Sequence, residues 1–390
     1  MYVDTFPDSK RKYLSDAHAE TVKATLAPVA DNMQTIASTF YSKMFAAHPE
    51  LISDLFNRGN QKQNAQQKAL AASVVKFAAH LVDDSQPDPV MMLDRIAHKH
   101  VSLGITEDQY QIVHDNLMAA IAETLGDAVT PEVAEAWDAV YWLMADVLIK
   151  HEKELYASDG VADGDVFRRG TVAAKEALTD TVTAFTIEGD FSAPKPGQYT
   201  SIGVKLDDGA RQLRQYSIID GDASRYRIAV QTDGEVSSFL QNRVAVGDTV
   251  DATLAAGDLV LRPGDNPIVL ISSGIGSTPL TGILTHLVKH DDPRRVTYVH
   301  SDSSEATWAQ AQESRDLVAA LNDGSIHPFF RDSGERVDIH NIDVAGADVY
   351  LCGGTGFLQS LRDDLAALPE DKAPANVFYE LFSPNDWLVS

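Results

Sequence analysis

The sequence has little of what a disulfide-stabilised or nucleic-acid-binding protein needs. It contains a single cysteine, Cys352, among 390 residues, so no disulfide can form within the chain and we expect a reducing compartment. Lysine and arginine number 32 against 57 aspartates and glutamates, which gives a formal net charge of -25. A chain this acidic lacks the basic surface that nucleic acids and anionic membranes require.

Long apolar segments are also missing. No run approaches the ~20 residues that span a bilayer, and residues 1–12 are polar rather than the apolar core of a signal peptide. We therefore expect a cytoplasmic protein without an integral membrane segment. The hydrophobic content of 44% and the charged content of 23% are typical of globular chains, and the length allows two or three domains.

The first part of the chain has a helical pattern. From residue 15 to about residue 156, apolar residues recur at helical spacing, as in the stripe of Trp137, Tyr141 and Leu148. Thr130 is suited to cap a helix whose first residue is Pro131. The pattern predicts an all-α domain over residues 14–156, followed by a polar linker over residues 157–165.

The remainder changes from strands alone to strands alternating with helices. Short segments rich in β-forming residues, separated by turn residues, predict an antiparallel β-barrel over residues 166–265. These segments are residues 180–188, 199–206, 214–219 and 226–231. Strands alternating with helices then predict a parallel α/β sheet over residues 266–390. Its strands are residues 267–273, 296–300, 348–352 and 377–382, and its helices are residues 280–290, 308–321 and 357–368.

Residues 96–105 hold two histidines with different surroundings. Because residues three, four and seven positions apart share a helix face, His100 lies with Leu93 and Ile96 on an apolar face. His98 points the other way, beside Asp94, and is expected at the surface. A histidine on an apolar face is either a hydrogen-bonded core residue or a metal ligand. The helical phase favours His100 over His98 for the second role.

Two glycine-containing turns follow strands of the predicted sheet. Residues 272–279, Ser-Ser-Gly-Ile-Gly-Ser-Thr-Pro, join a strand to a helix whose N-terminal N–H groups could bind a pyrophosphate. Pro279 stands where the dinucleotide-binding motif has its third glycine, so an ordinary tight turn is the alternative. Cys352-Gly353-Gly354 repeats the pattern after a second strand. Two such turns at strand carboxyl ends indicate a ligand site.

The predicted barrel carries Arg214-Gln215-Tyr216-Ser217 on one strand. Arg214 and Tyr216 face one way, and an arginine can hold a phosphate while an aromatic ring lies against a flat ring system. A surface arginine beside a half-buried tyrosine is the alternative. Residues 234–239 indicate a turn that enters a short helix, which is a second place suited to a phosphate.

Taken together, these motifs resemble those of the ferredoxin-NADP reductase superfamily. The matching segments are Pro-Gly-Gln-Tyr at residues 196–199, residues 214–217, residues 274–279, residues 352–357 and Tyr-Glu-Leu-Phe at residues 379–382. The helical part before them resembles a globin. A globin followed by such a reductase is the arrangement of the flavohemoglobins, and the resemblance runs from about residue 14 to residue 382.

The resemblance implies a haem b site in the globin part. His100 corresponds to the iron ligand, Tyr41 and Gln66 to the residues that hold dioxygen, and Phe56 and Leu70 to pocket residues. Tyr110 and Glu152 correspond to the pair that supports the histidine. A buried Glu152 would make the imidazole more electron-rich. Without the resemblance, Tyr41 and Tyr110 would be core tyrosines, and Glu152, which lies near Lys150 and Lys153, would be a solvated helix residue.

The resemblance also implies one FAD and a nicotinamide nucleotide. The implied FAD residues are Gln198, Tyr199, Arg214, Gln215, Tyr216, Ser217, Val236, Ser237 and Ser238. The implied nucleotide residues are Gly274, Gly276, Ser277, Thr278, Pro279, Cys352 and Gly353. Glu380 is expected near the flavin, where it assists hydride transfer, and Phe382 is expected to cover the flavin face.

The implied activity is that of a nitric oxide dioxygenase, which detoxifies nitric oxide. Electrons pass from NAD(P)H to FAD to haem, and nitric oxide and dioxygen become nitrate. The loop after the second α/β strand carries Asp302 and Glu305 but no arginine. Its negative charge would repel the 2′-phosphate of NADPH, which predicts NADH over NADPH. We expect a monomer. The alternatives are a gas sensor or oxygen carrier, and a general flavin reductase whose helical part is structural.

Overall fold

The computed structural model describes residues 13–49, 51, 65–83, 85–86 and 88–382, with the side chains of residues 65–72 and 91–92 left undescribed. The chain divides into two compact units. The helices up to Val166 belong to the first, and the elements from Phe167 onward, apart from Asp207–Gln212, belong to the second.

The first unit is built from α-helices. Six are described: α1 (Asp16–Asp31), α2 (Met33–Ala47), α3 (Ala65–Val82), α4 (Asp94–Val101), α5 (Glu107–Leu125) and α6 (Pro131–Ser158). Their ends follow the capping rules. The Ser15 side chain accepts the His18 N–H at 3.1 Å before α1. Thr130 accepts the Val133 N–H at 3.4 Å, with Pro131 as the first residue of α6, as predicted.

A single apolar core joins these helices. Phe40 from α2, Phe77 from α3 and Trp137 from α6 are each about 1% exposed and belong to one cluster. Burial of such large side chains dominates the stability of a helical domain. Trp137 also donates its indole N–H to the Thr25 hydroxyl at 2.9 Å, which satisfies a polar atom inside the core.

The second unit begins with a closed six-stranded barrel in the order β1-β2-β5-β4-β3-β6. Its strands are β1 (Phe167–Ala177), β2 (Val182–Glu188), β3 (Tyr199–Lys205), β4 (Arg211–Asp222), β5 (Arg225–Gln231) and β6 (Thr249–Thr253). The helix α7 (Glu235–Arg243) follows β5. Ile202, Ile228 and Ala252 are among the buried residues that fill the barrel.

The five-stranded sheet of this unit has the order β11-β10-β7-β8-β9 and is parallel throughout. Its strands are β7 (Ile268–Ser273), β8 (Val296–Asp302), β9 (Gly324–Phe330), β10 (Asp348–Gly353) and β11 (Asn376–Leu381). The connecting helices are α8 (Ser277–Lys289), α9 (Ala311–Ala320) and α10 (Thr355–Ala366). Apolar clusters lie on both faces of the sheet, as a parallel sheet requires.

Barrel and sheet contact each other within the second unit. Gly282 on α8 approaches β4 so closely that an added Cβ would lie 2.5 Å from the Ile218 carbonyl oxygen. Arg227 on β5 donates to the Glu313 carboxylate on α9 at 2.6 Å. The predicted domain boundaries of this region, residues 166–265 for the barrel and residues 266–390 for the α/β part, stay predictions.

The predicted architecture is confirmed: an all-α part, then an antiparallel barrel, then a parallel α/β sheet. The prediction missed three strands, β1, β6 and β9. It also ended β4 too early, since that strand runs from Arg211 to Asp222. None of the described helices is both long enough and apolar enough to cross a membrane.

Candidate functional site

The helical unit brings three residues that were singled out from the sequence into one hydrogen-bonded network. Nδ1 of His100 lies 2.7 Å from Oε1 of Glu152 and 3.0 Å from the Tyr110 hydroxyl. That hydroxyl donates to the same Glu152 oxygen at 2.5 Å. The three come from α4, α5 and α6, so helix packing builds the network.

Glu152 is a core residue, which excludes the interpretation as a solvated helix residue. It is 2% exposed although Lys153 and Glu154, its neighbours along α6, are exposed. A buried carboxylate needs hydrogen-bond donors, and His100 and Tyr110 supply them. Burial, followed by the Glu152 charge, raises the pKa of Tyr110. The phenol therefore stays protonated and keeps donating.

The proximity of Tyr110 to this carboxylate is itself secured. The Tyr141 hydroxyl on α6 donates to the Tyr110 carbonyl oxygen at 2.6 Å. The Tyr156 hydroxyl donates to the Ile105 carbonyl oxygen, also at 2.6 Å, just before α5 begins. Thr106 and Gln109 form a capping box at that start, with the Thr106 N–H donating to the Gln109 side chain at 3.0 Å. The imidazole is thus held from two helices.

The two ring nitrogens of His100 differ, since Nδ1 is hydrogen-bonded to Glu152 and Tyr110. Within the described part of the chain, no residue is hydrogen-bonded to Nε2, and the side chain is 30% exposed. An imidazole that donates Nδ1–H to a carboxylate presents the Nε2 lone pair outward. This is the tautomer that a metal ligand requires.

His98 points away from the His100 network and is half-buried rather than fully exposed, so its expected place at the surface stays a prediction. Its ring packs edge-on against His151 with centroids 5.9 Å apart. His151 on α6 covers the side of α4 that the sequence pattern left to solvent. Its Nε2 lies 2.6 Å from Oδ1 of Asp94.

Tyr41, which the resemblance assigns to holding dioxygen, lies inside the helical unit. It is 3% exposed and contacts the rings of Phe40 and Phe45 at centroid distances of 4.7 and 5.4 Å. Burial raises the pKa of its hydroxyl, which is therefore a donor at physiological pH. Phe56 lies outside the described residues. Gln66 and Leu70 lie on α3, but their side chains are not described.

In the barrel, two separate motifs meet at Tyr216. Burial raises the pKa of this phenol, while the nearby Arg214 charge lowers it and the Asp233 charge raises it. Tyr216 on β4 is therefore within electrostatic range of Arg214 and of Asp233, which precedes α7. Gln215, on the other face of the strand, donates to the Ser201 hydroxyl at 3.2 Å, and Ser217 is buried.

Several of the implied FAD residues use their side chains for the fold itself. The Gln198 amide oxygen accepts the Lys195 N–H at 2.9 Å, and its NH2 group donates to the Gly257 carbonyl oxygen at 3.4 Å. The Ser237 hydroxyl accepts the Gly234 N–H at 2.9 Å at the start of α7. Val236 is a core residue of the barrel. These positions can offer backbone groups rather than free side chains.

The two glycine turns lie side by side at the carboxyl ends of β7 and β10. An added Cβ on Gly276 would lie 2.5 Å from the Cys352 carbonyl oxygen, and one on Gly353 would lie 2.5 Å from the Ser273 hydroxyl. These glycines are therefore required for close packing of the two turns. Gly274 is different, because its φ is +53° and nothing lies within 4 Å of an added Cβ.

The side chains after the first turn point inward. The Ser277 hydroxyl donates to the Gln310 side chain at 2.5 Å, and the Thr278 hydroxyl donates to the Ile275 carbonyl oxygen at 2.9 Å. Pro279 and Cys352 are buried in the α8 packing and the sheet. A ligand at this edge would meet the N-terminus of α8 and the backbone of the turns.

Glu380 and Phe382 lie at the same edge of the sheet. Glu380 on β11 pairs in register with Cys352 and is 8% exposed. Phe382 follows the end of β11, and its side chain is 51% exposed. An exposed phenylalanine beside a row of strand ends is suited to cover a flat ligand.

Two features at this edge were missed by the sequence analysis. Arg331, just after β9, donates to the Ser303 hydroxyl at 2.7 Å, so an arginine does lie beside the acidic loop. His300 on β8 is fully buried, with Nδ1 2.8 Å from the Ser272 hydroxyl and Nε2 3.4 Å from Asp302. The Arg331–Ser303 and His300–Ser272 contacts join segments that are remote in the sequence, which a local pattern does not reveal.

Comparison with known proteins places these features in a family. The Globin family matches residues 38–148. The flavohemoprotein of Deinococcus radiodurans is 37% identical and covers 93% of this chain and 96% of its own length. The flavohemoprotein of Bacillus subtilis is 32% identical over 95% of this chain and 98% of its own.

One solved structure matches over nearly the whole chain. The crystal structure of flavohemoglobin from Malassezia yamatoensis with bound FAD and heme is 32% identical, has a TM-score of 0.88 and covers 95% of this chain and all of that one. Because relatives of this identity align through the helical unit, the barrel and the sheet alike, the chain belongs to the flavohemoprotein family.

Proposed function

We propose that this oxidoreductase is a nitric oxide dioxygenase, which uses electrons from a nicotinamide nucleotide to convert nitric oxide and dioxygen to nitrate. Each nitrate needs one electron, so one hydride serves two turnovers. The observation that carries the proposal is the His100–Glu152 hydrogen bond with Tyr110 on the same oxygen. An electron-rich ligand increases electron density on the iron and on dioxygen, which favours chemistry on dioxygen over its reversible storage.

The residues present fit a haem in the helical unit. His100 offers an Nε2 atom without a hydrogen-bond partner among the described residues and a second nitrogen that a buried carboxylate holds. Neutral imidazole with a second-shell acceptor is the usual iron ligand of globins. The Malassezia yamatoensis relative is described with bound heme. We assign His100 as the ligand and Tyr41 and Gln66 as the residues that would hold dioxygen.

The second unit fits FAD and a nicotinamide nucleotide. The charges of Arg214 on β4 and of Asp233 before α7 both influence Tyr216, and an arginine and a helix start suit a pyrophosphate. The adjoining glycine turns of β7 and β10 offer backbone N–H groups at a sheet edge. The same relative is described with bound FAD.

Bound haem would supply the iron at which the gases react, and bound FAD would convert hydride transfer into single-electron steps. The chain's own residues control the surroundings. Glu152 accepts the Nδ1–H of His100, which increases the basicity of the imidazole, and Tyr110 holds the carboxylate in place. The Tyr41 hydroxyl, which burial keeps protonated, would donate a hydrogen bond to dioxygen bound inside the unit.

At the sheet edge, the exposed Phe382 would cover the face of a bound flavin until the nicotinamide displaces it, and Glu380 would assist hydride transfer. NADH is the preferred donor because the Asp302 and Glu305 carboxylates repel a 2′-phosphate. Burial raises the pKa of Asp302, but hydrogen bonds from His300 and Thr307 outweigh burial and hold the pKa below its usual value. Asp302 therefore keeps its negative charge, although Arg331 lies nearby.

The replacement His100→Ala tests the assignment without measuring nitrate. The variant is expected to lose the Soret band, keep the flavin bands and still reduce an artificial electron acceptor with NADH. A variant that retains a histidine-ligated Soret band would remove His100 from its role. A wild-type spectrum with flavin bands alone would leave a general flavin reductase instead.

A further inference from the structure

The outer side of α4 carries a group of potential metal ligands that the haem assignment does not use. Asp94 begins the helix, His98 follows one turn later on the same face, and His151 reaches them from α6. One ligand atom from each lies within 4.8 Å of the other two. Among the residues that the structure describes, no other group of three shows such proximity.

We infer that Asp94, His98 and His151 form a site for a divalent transition cation of the zinc type. Two imidazoles and one carboxylate form a borderline donor set, which suits Zn²⁺ and is too nitrogen-rich for Mg²⁺ or Ca²⁺. Three protein ligands leave a fourth, open position for water.

The three ligand atoms lie within 4.8 Å of one another and have to adjust to hold an ion. Bonds of about 2.0–2.2 Å in a tetrahedral site place ligand atoms roughly 3.3 Å apart. Nε2 of His151 and Oδ1 of Asp94 are already closer than this, at 2.6 Å, because a hydrogen bond joins them. The ion takes the place of the shared proton, and the two atoms separate slightly. From a doubly protonated His151 that proton is released to solvent, and from a neutral His151 it moves to Nδ1, so in both cases Nε2 binds the ion as a neutral imidazole.

The burial pattern suits a site that an ion can enter from solvent. The His151 side chain is 9% exposed and provides a fixed base, whereas the Asp94 side chain is 42% exposed and can turn. The His98 ring stands almost perpendicular to that of His151, at 88°. Side chains on two different helices then share one ion.

Occupancy would cross-link α4 to α6, the two helices that carry His100 and Glu152. Neither of those residues is a ligand in this group, so the inference stands whether or not haem binds. The alternative is a hydrogen-bonded Asp94–His151 pair with His98 merely packed against it. The two interpretations differ in whether His98 contributes to metal affinity.

The test is equilibrium dialysis of the tag-free, full-length holoprotein against Zn²⁺, with zinc and iron counted by mass spectrometry. Wild type is expected to bind one zinc per chain that His98→Asn and Asp94→Asn bind at least tenfold more weakly. His114→Asn is the matched control, because His114 contacts Asp115 at 2.9 Å and Asp138 at 2.7 Å through opposite ring nitrogens. It should bind zinc as wild type does.

A second measurement guards against misfolded variants. Zn²⁺ should raise the Tm of wild type and His114→Asn but not that of His98→Asn, whose Tm without zinc should be near the wild-type value. Any zinc bound by the stacked pair His286 and His290 would be the same in all variants, so it does not affect the comparison. Equal zinc binding by wild type and His98→Asn, or no binding by wild type, would overturn the inference.

Discussion

His100 and Glu152 lie 52 positions apart in the chain, yet Nδ1 of the first is 2.7 Å from Oε1 of the second. The contact joins α4 to α6 and places a carboxylate in the core, where it is 2% exposed. The Tyr110 hydroxyl donates a hydrogen bond to the same oxygen at 2.5 Å. The arrangement fixes the imidazole tautomer and its orientation, and our account of the activity depends on it.

Replacing Glu152 with glutamine tests this relationship. The amide keeps the shape but not the charge, so the imidazole becomes less basic and the iron reduction potential should rise. Second-shell changes of this kind typically cost about 10- to 100-fold in activity, and we expect a loss of that size in nitric oxide consumption, with haem retained. Glu154→Gln is the control, since Glu154 is exposed two positions further along α6.

Unchanged potential and turnover in Glu152→Gln would show that the carboxylate is only a packing feature. Complete loss of haem would point to a structural role instead. The potential separates these outcomes from the predicted one, because it responds to the basicity of the imidazole and not to general loosening of the fold.

Replacing Tyr41 with phenylalanine removes the hydroxyl that we propose as a hydrogen-bond donor to dioxygen. A net hydrogen bond contributes about 0.5–1.5 kcal/mol, so dissociation of dioxygen from the reduced protein should accelerate by up to roughly tenfold. Stopped-flow spectroscopy measures this rate. Because burial raises the pKa of Tyr41, the wild-type rate should not change between neutral and mildly alkaline pH.

Tyr226→Phe is the matched control for that experiment. Tyr226 is also buried, but it lies in the barrel, where its hydroxyl donates to the Ser192 carbonyl oxygen at 2.6 Å. This variant should lose some stability and leave dioxygen dissociation unchanged. If both variants accelerate dissociation equally, Tyr41 acts through general packing.

The choice of nucleotide can be tested at Arg331, which donates to the Ser303 hydroxyl at 2.7 Å. We expect kcat/KM for NADH to exceed that for NADPH. Arg331→Ala should leave the NADH value within about twofold and lower the NADPH value about tenfold, the effect of losing one charge-assisted contact. Arg336→Ala, another exposed arginine of this region, should change neither. A wild-type preference for NADPH would contradict the proposal.

The buried His300 predicts a pH dependence of stability in the second unit. Burial lowers the pKa of this imidazole, and Asp302 only partly offsets the effect. The unfolded chain takes up a proton near pH 6.5, which the folded chain resists. The contribution of neutral His300 to the free energy of unfolding is therefore fully present above about pH 6.5. It falls as the pH drops, by at most about 1.4 kcal/mol per pH unit.

Flavin release on heating reports the melting of this unit. His300→Gln should reduce the pH dependence of its midpoint below pH 6.5, whereas His290→Gln should not. Identical slopes in wild type and His300→Gln would assign the dependence to other groups.

The sequence was sufficient where a local pattern reports packing directly. The helical phase placed His100 on the inner side of α4, and Thr130 with Pro131 marked the start of α6. Glycines followed by helical segments located both turns at the sheet edge. In these cases, the side chains that carry the information lie within one or two turns of each other.

The sequence failed where the partner is remote or the strand is atypical. Residues around Glu152 read as charged surface, and nothing local places His151 against His98. The strand β1 is mostly exposed and so shows no apolar alternation. The strand β9 contains Pro328, which argues against a central strand, and β9 is in fact an edge strand.

The most direct test of the account is product analysis of the purified holoprotein with NADH, nitric oxide and dioxygen. Our account predicts that nitric oxide is converted to nitrate in equal amount, with one NADH consumed for every two nitrates, and that conversion stops without dioxygen. Oxidation of NADH without nitrate formation, or reversible gas binding without turnover, would contradict it.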